Sequence, residues 1–306
     1  MGWAVSHWCD AACEADKRDP AACGACALRR ASQVKEAETL ALLDDGLSVV
    51  PRPDGDGLII EGVSVITPAY NAEDSIACVI ESVVAQTCPV VEHIIIDDGS
   101  ADGTADLIKG FAKQYPHIRY IHQPQQGAGV ARNTGIEAVR GRYIAFLDSD
   151  DLWLPGKLEA QIGFMQREQV AFSYGDYEIR SRNDDSHLAH YRAPEWVDYA
   201  MLLRGCPIGC LTVAYDQEAL GKHYMPHVRR GQDWGLWLAL ARHAGPARKY
   251  PGVHAVYRSG GASLSANKLA KLRDVYTIYR EQERLGRVRS SWYLARHALS
   301  AVTKPR

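Results

Sequence analysis

Apolar and polar positions alternate in short blocks over the middle of the chain. Four apolar runs have the length and β-branched composition of buried strands: 63–67, 91–96, 118–122 and 142–147. Three intervening segments carry apolar residues at helical spacing: 74–86, 101–114 and 129–140. Strands that alternate with helices predict a mostly parallel sheet that is covered by helices on both faces.

The first of these helices shows the helical pattern most clearly. Segment 74–86 places five apolar residues on one face: Ile76, Val79, Ile80, Val83 and Val84. Asp74 precedes them and is a candidate N-cap, because its side-chain oxygen can accept a hydrogen bond from a free backbone N–H. Residues 74–86 are therefore predicted to be a helix with its apolar face on the sheet.

The two ends of the chain have a different character from the middle. Residues 27–46 have helix-forming composition, and "PRPDGDG" at 51–57 is typical of a linker. We therefore predict an N-terminal cysteine-containing helical extension and linker at 1–57 and a C-terminal helical segment at 261–306. Within the latter, 267–286 has the pattern of an amphipathic helix that covers or docks.

The predicted main domain therefore occupies residues 58–260. Its first half, 58–151, contains the regular alternation, and its second half, 152–260, is less regular.

The composition excludes several classes of partner. The chain has 306 residues, 46% of them hydrophobic, and a net charge of −2, which gives no electrostatic footprint for nucleic acid. No apolar stretch approaches the roughly 18 residues of a membrane span, and the N-terminus lacks a secretory pattern. The opening "MGWAVS" fits a loose acylation pattern, which we attribute to chance.

We expect a cytoplasmic protein whose contact with a membrane, if any, is peripheral. The basic and aromatic segment 287–306 is the candidate for such contact, and an ordinary packed helix is the favoured alternative.

Four of the eight cysteines crowd the start of the chain. Together with His7 they form a candidate zinc set: Cys9, Cys13, Cys23 and Cys26. Their spacing matches known zinc ribbons poorly, and reduced cysteines on an alanine-rich helix are the alternative. We expect no zinc at this segment.

Polar side chains follow three of the predicted strands. The first strand is followed by Pro68, Tyr70 and Asn71, the second by Asp97 and Asp98, and the fourth by "DSDD" at 148–151. Because parallel strands end at one edge of a sheet, these residues are expected to meet there.

The carboxylates of "DSDD" would repel one another at such an edge. Asp148, Asp150 and Asp151 supply oxygen ligands of the kind that suits Mg²⁺ or Mn²⁺, and such a metal usually also binds substrate phosphates. A lone aspartate would more often be a turn cap. Three together favour a site for a metal and a diphosphate.

Four motifs in order resemble family-2 glycosyltransferases of the GT-A fold. They are "VSVITPAYNAEDSIACVIESVVAQT", "IIIDDGSADGT", "GAGVARNTGIEAVRGRYIAFLDSDD" and "GQDWGLWLAL". The resemblance covers about 63–260 and does not reach residues 1–60. It implies a Rossmann-like α/β three-layer sandwich and an inverting transferase that uses a nucleotide-diphosphate sugar with a divalent metal. It also implies that residues 58–151 bind the nucleotide and that residues 152–260 shape the acceptor pocket.

The resemblance also implies roles for the residues that bind the donor. Tyr70 would flank the base, Asp98 would accept a hydrogen bond from uracil N3–H, and Asp97 would support the loop. Arg132 would lie near the nucleotide or diphosphate. Either Arg258 or His254 would reach the diphosphate, with a solvated loop as the alternative. The neighbouring Pro68, Asn71 and Ser149 complete the predicted donor site.

The resemblance also implies roles for the "DSDD" loop and for a catalytic base. Asp148 and Asp150 would contact the ribose and the metal, with Asp151 as a further possible ligand. Asp233 would be the catalytic base, preceded by Gln232 where the family often has glutamate. Because Asp233 opens a predicted helix, the macrodipole should keep it ionised and its pKa low.

The predicted function is therefore transfer of a sugar, with UDP the favoured carrier, to a hydroxyl of a glycan, a lipid-linked sugar or another acceptor. Polysaccharide or glycoconjugate synthesis is the expected setting.

Two rival functions are a sugar-nucleotide nucleotidyltransferase and a non-catalytic carbohydrate- or protein-binding module. The first would normally show a basic, glycine-rich loop after the first strand, and "PAYNAED" is neither. The second conflicts with the intact Asp98, Asp150 and Asp233.

Overall fold

The computed structural model describes residues 49–51, 58–88, 90–260 and 268–303. The chain divides into two compact units, Met1–Pro51 and Arg52–Arg306. In the first unit the description consists of one strand, β1 (Val49–Pro51). The predictions for the N-terminal cysteines, the helix at 27–46 and the linker at 51–57 fall almost wholly outside the described residues. The predicted domain boundaries therefore stay predictions.

The second unit alternates strands and helices along the chain. Its strands β2 to β11 are Leu58–Ala69, Val90–Asp97, Ile118–His122, Gly141–Phe146, Leu152–Trp153, Phe172–Ser181, His187–Tyr191, Trp196–Val197, Ala214–Asp216 and Ala247–Ser259. Its α-helices α1 to α9 are Ile76–Val84, Thr104–Gln114, Ala128–Ala138, Lys157–Glu168, Tyr199–Leu202, Gln217–Leu220, Gln232–Ala244, Lys268–Thr277 and Arg287–Thr303. A 3₁₀ turn at Cys210–Thr212 and a π-helical turn at Ile278–Gln282 complete the elements.

The strands form one mixed sheet in the order β4-β3-β2-β5-β10-β7-β11-β6. The first four run parallel to one another. Strand β10 then pairs antiparallel with both β5 and β7, and β6 pairs antiparallel with β11. The sheet is therefore parallel where the sequence alternates regularly and mixed in the half that follows the acidic loop.

Helices cover the sheet on both faces and make three layers. The side chains of β2 alternate between two cores: Val65 packs with helices α1, α2 and α4, whereas Ile66 packs with α3 and α7. This alternation follows from the two-residue period of a strand, and both faces are apolar because both are buried. The α/β GT-A-type architecture predicted from the sequence is confirmed.

Most predicted elements of the first half occur close to their predicted bounds. Strand β4 matches its prediction, and β2 is longer than predicted, extending over Leu58–Ala69. The predicted N-cap Asp74 is wrong: Ser75 is the N-cap of α1 and makes no side-chain capping hydrogen bond. Ser75 Oγ donates instead to the carbonyl of Ser149, so this residue ties α1 to the acidic loop.

The C-terminal segment is helical, as predicted from its composition. Helix α8 and the π-helical turn cover most of the predicted amphipathic helix, and α9 follows. None of the helices in the described residues combines the length and the hydrophobicity that are needed to cross a bilayer.

Candidate active site

The carboxyl ends of three parallel strands meet at one edge of the sheet. Ala69 of β2 lies beside Asp97 of β3, and Ile66 of β2 lies beside Phe146 of β5. The backbone N–H of Leu147 donates to the carbonyl of Ile66 at 3.0 Å, which extends this pairing to the start of the acidic loop. The three loops that carry the predicted donor residues are thus neighbours.

Asn71 joins the first two loops. Its backbone N–H donates to Ser100 Oγ at 3.0 Å, and its Oδ1 accepts from the N–H of Ala101 at 2.9 Å. Asn71 has a φ of 46°, a left-handed conformation that asparagine tolerates better than most residues. Beside it, Tyr70 is 46% exposed and Pro68 is buried. An exposed aromatic ring above a fixed loop can stack against a planar base.

Asp97 stabilises the loop that follows β3. Its carboxylate accepts hydrogen bonds from the Ser100 N–H (2.9 Å) and the Tyr120 hydroxyl (2.9 Å), and it also contacts His122 Nδ1 (3.3 Å). Burial would raise the pKa of Asp97, but these hydrogen bonds outweigh it and leave the pKa below its ordinary value. Asp97 is therefore an ionised structural carboxylate.

Asp98 is buried and already holds the loop that leads into α3. Its Oδ1 accepts from Gln123 Nε2 (2.7 Å) and from the N–H of Gln126 (2.9 Å), and its Oδ2 accepts from the N–H of Gly127 (2.7 Å). A carboxylate has about four acceptor positions. Asp98 therefore has one position left, on Oδ2, for a donor such as uracil N3–H.

The three carboxylates of the acidic loop have three separate partners. Asp148 accepts from Arg132 Nη2, Asp150 accepts from Arg182 Nη2, and Asp151 Oδ1 accepts from the backbone N–H of Arg258 at 3.0 Å. Among the residues that the structure describes, no three His, Cys, Asp or Glu side chains are grouped so that they could hold a metal ion. The assignment of Asp148, Asp150 and Asp151 as metal ligands therefore stays a prediction.

Repulsion between these carboxylates nevertheless remains. Burial and the charge of Asp148 raise the pKa of Asp150, and Arg182 opposes that rise. Burial and the charges of Asp148 and Asp150 raise the pKa of Asp151 well above its ordinary value. A divalent cation that approached one or two of these oxygens would relieve the repulsion, and carboxylate oxygen suits Mg²⁺ or Mn²⁺. These carboxylates therefore fit such a metal, and each of them would keep its hydrogen bond to the protein as well.

The segment with His254 and Arg258, which was predicted to reach the diphosphate, lies beside the acidic loop. Through the Asp151 contact, the backbone of Arg258 fixes that loop, while its guanidinium lies 3.7 Å from Asp185. His254 stacks against Tyr250, and burial together with the charge of Lys157 lowers its pKa. In this structure Arg258 therefore reaches the donor site through its backbone.

Helix α3 brings Arg132 to the same edge. Gly135, one turn further on, permits a close approach, since a Cβ added there would lie 2.6 Å from Ile66 Cγ2 on β2. Arg132 is buried, and its Nε has no hydrogen-bond partner among the described residues. Burial would lower the pKa of Arg132, but the charge of Asp148 outweighs this and raises it. Arg132 therefore stays positively charged, and its Nε–H can still donate a hydrogen bond.

Asp233 lies in the first turn of α7, which the sequence predicted, and faces this cation. The preceding Gln232 is buried and packs against α3: a Cβ added at Gly129 would lie 3.0 Å from its Cγ. The prediction of a low pKa for Asp233 is wrong. Burial raises its pKa, and the lowering by Arg132 and the backbone N–H of Trp234 does not compensate. A carboxylate with a raised pKa is a stronger base than an ordinary one.

A cleft of about 840 Å³ joins these groups. Arg132, Asp148 and Asp233 all line it, so the donor edge of the sheet and the candidate base open into one space. The remaining wall comes from the loop after α5, the loop before α7, and helices α8 and α9. Such a concave site with converging charged groups has the form of an active site.

The sequence profile described as glycosyl transferase family 2 matches residues 64–215. TuaG of Bacillus subtilis (strain 168), named as a teichuronic acid biosynthesis glycosyltransferase, is 40% identical over 244 residues, which cover 79% of this chain and 96% of TuaG. The chain belongs to glycosyl transferase family 2. A second relative of this family-2 enzyme is WfgD of Escherichia coli, named as a UDP-Glc:alpha-D-GlcNAc-diphosphoundecaprenol beta-1,3-glucosyltransferase. WfgD is 37% identical over 218 residues, which cover 71% of this chain and 84% of WfgD.

Solved structures show the same fold. A mannosyltransferase from Pyrobaculum calidifontis, solved with GDP-Man and Mn²⁺, matches with a TM-score of 0.56 and 18% identity over 85% of this chain and 79% of its own. At 18% identity, this similarity shows a shared fold and says nothing about the substrates of the present family-2 glycosyltransferase.

Sequence reasoning missed several charged residues of this glycosyltransferase. Arg182, which pairs with Asp150, lies in a polar segment without a recognisable motif. The basic side chains of the cleft wall also gave no signal, because they come from three separate elements. Spacing along the chain could not have identified either group.

Proposed function

We propose that this family-2 enzyme is an inverting, metal-dependent glycosyltransferase that moves a sugar from a UDP-sugar to an acceptor hydroxyl. The observation that carries the proposal is the shared cleft, which Asp233 lines together with Arg132 and its hydrogen-bond partner Asp148 of the acidic loop. Each substrate then has a defined side: the nucleotide at the strand ends and the acceptor toward α7.

Asp233 takes the proton of the acceptor hydroxyl in this proposal. Asp148 and Asp233 are the carboxylates among the described residues that line the cleft, and Asp148 is held by Arg132. General-base catalysis of this kind typically contributes about 10²–10⁴-fold. One base that activates an attacking hydroxyl, without a carboxylate nucleophile, leads to a single displacement and hence to inversion at the anomeric carbon.

The leaving nucleoside diphosphate gains negative charge as the glycosidic bond breaks. Asp148, Asp150 and Asp151 offer the oxygens that would hold a divalent metal beside that diphosphate, and such a metal stabilises the leaving charge by several kcal/mol. Arg132 remains cationic throughout, because its pKa is raised, and it orients Asp148.

Tyr70 and Asp98 support uridine as the base. Tyr70 is exposed directly after Ala69, whose carbonyl accepts from the backbone N–H of Asp98 at 2.8 Å, and Asp98 keeps one acceptor position for an N3–H donor. Uracil and thymine carry that donor at the corresponding edge, whereas adenine does not. The name of WfgD, which specifies UDP-Glc as donor, agrees with a UDP-sugar.

The proposed setting is the assembly of a polysaccharide or glycoconjugate in the cytoplasm. The names of TuaG and WfgD point to teichuronic acid and to a lipid diphosphate acceptor, respectively. Peripheral membrane contact would come from α9, whose exposed side carries Val288 (84% exposed), Trp292 (50% exposed) and three arginines: Arg287, Arg289 and Arg296.

Calorimetric titration with UDP, GDP, ADP and TDP in the presence of Mn²⁺ tests the donor assignment. UDP should bind more tightly than GDP or ADP, and TDP should remain a ligand because it shares the N3–H. Tighter binding of GDP would contradict the uridine assignment. NMR of the product's anomeric proton then tests inversion, and retained configuration would exclude the single displacement.

The same experiments separate the rival functions. A nucleotidyltransferase would release pyrophosphate from UTP and a sugar phosphate, and a binding module would bind glycans without consuming any nucleotide sugar. Either result, together with an intact UDP-sugar over a donor panel, would replace the proposal.

A further inference from the structure

Basic side chains dominate the wall of the cleft away from the sheet. Besides Arg132, four of them line it: Arg204, Arg229, Arg230 and Lys271. The carboxylates of the lining are Asp148, which pairs with Arg132, and the candidate base Asp233. The acceptor side of the cleft therefore carries an excess of positive charge.

Three of these cations have no acidic partner. Arg230 lies 3.4 Å from Asp274, whereas Arg204, Arg229 and Lys271 form no ion pair within the part of the chain that the structure describes. They come from three elements: the end of α5, the loop before α7, and α8. Like charges that the fold brings to one cleft repel one another, and a bound anion lowers their energy.

We propose that Arg204, Arg229 and Lys271 bind a phosphate or diphosphate group that belongs to the acceptor. The inference rests on the proposed function and names the class of its second substrate, a hydroxyl compound with a phosphate nearby. The acceptor oxygen forms a bond to the anomeric carbon as the bond to the nucleoside diphosphate breaks. Asp233 takes the hydroxyl proton, the electron pair leaves with the diphosphate, and the acceptor's own phosphate is unchanged.

The location of the cations separates them from the donor's diphosphate. The donor groups follow β2, β3 and β5, at the strand ends, whereas the three cations belong to residues 204–271, the part of the chain that also contains Asp233. Arg229 precedes Asp233 by four positions, so an anion held there keeps its attached hydroxyl close to the base. Electrostatic attraction also steers a charged acceptor into the cleft.

Calorimetric titration of inorganic pyrophosphate into the full-length protein, with a chelator present, tests the site. The double variant Arg204→Gln/Lys271→Gln should bind pyrophosphate about tenfold more weakly or worse, since a charge-assisted contact contributes about 1.5–3 kcal/mol. Arg273→Gln is the matched control, because this exposed arginine lies on α8 two residues from Lys271 but does not line the cleft. It should bind as the wild type does.

The source of the phosphate is resolved by a parallel titration with glycerol 3-phosphate. Tighter binding of pyrophosphate supports a diphosphate acceptor, and tighter binding of glycerol 3-phosphate supports a polyol phosphate. Binding of neither, or an equal loss in the control, overturns the inference.

The affinity for UDP with Mn²⁺, measured on the same variants, keeps this test separate from the proposed function. It should be unchanged in the double variant. A parallel loss of UDP binding would assign the cations to the donor site and overturn the acceptor assignment. Absence of UDP binding in the wild type would instead contradict the proposed function itself.

Discussion

Arg132 donates through Nη2 to Asp148 Oδ1 and so joins helix α3 to the acidic loop after β5. The same guanidinium lowers the pKa of Asp233, whose burial acts in the opposite direction. One side chain therefore connects the donor edge of the sheet with the candidate base. Its removal should affect both.

We expect Arg132→Gln to shift the acid limb of the kcat profile to higher pH. Loss of the cation removes an influence that keeps the pKa of Asp233 down, so a larger fraction of the base is protonated at a given pH. Turnover measured between pH 5 and 9 checks this. The control Arg167→Gln, at the end of α4, should leave the limb in place. An unmoved limb in Arg132→Gln would show that Asp233 does not control it.

We expect Asp233→Asn to lower kcat by about 10²-fold or more, because the amide cannot accept the proton. The affinity for UDP with Mn²⁺ should survive, since Asp233 lies outside the proposed donor site, in the first turn of α7. The control is Asp106→Asn, which changes an exposed aspartate in the first turn of α2. Near-normal turnover in Asp233→Asn would send the search for the base to other carboxylates.

The same variant should change stability in a pH-dependent way. The pKa of Asp233 is higher in the folded than in the unfolded state, so the folded protein binds the proton more readily and loses stability as pH rises through that window. Asp233→Asn removes this cost. Its Tm should exceed that of the wild type at pH 7, and the difference should shrink toward acidic pH. A lower Tm at pH 7 would mean that Asp233 mainly supports the start of α7.

We expect Asp150→Asn to weaken Mn²⁺-dependent UDP binding by about tenfold or more, because it removes a charged oxygen ligand. The Tm without metal should not fall, since burial and Asp148 raise the pKa of this carboxylate and its loss relieves repulsion. Calorimetry with and without Mn²⁺ measures the effect, with Asp184→Asn as an exposed control. A marked fall in Tm would identify the Arg182 pair as structural instead.

The membrane contact proposed for α9 gives a further expectation. Val288→Asp/Trp292→Ala should reduce co-sedimentation with phosphatidylglycerol-containing vesicles by about tenfold, because burial of one large apolar side chain is worth about 1.5–3 kcal/mol. The control Leu188→Asp changes a comparably exposed apolar residue on β8. Equal binding by all three proteins would remove α9 from the proposal.

The elements of the first half were predictable because their signals are local. Apolar residues repeat every second position in strands and about every 3.6 positions in helices, and polar residues follow each strand, so these signals belong to short segments. They placed β3, β4 and α3 within a few residues of their observed bounds. The failure at Asp74 has a long-range cause instead. The chain uses the loop around Ser75 for a contact with Ser149, 74 residues away, rather than for a cap.

By itself the sequence determined the layer order of the donor half and the edge at which Asp98, Asp148 and Asp150 gather. Parallel strands must end together, so this follows from the order of the elements. Only the tertiary structure decided which arginine meets Asp148 and which meets Asp150, that burial raises the pKa of Asp233, and that basic residues without an ion pair in the described part of the chain share its cleft. These properties depend on distances between residues far apart in sequence and on exclusion of water, and neither is encoded in spacing along the chain.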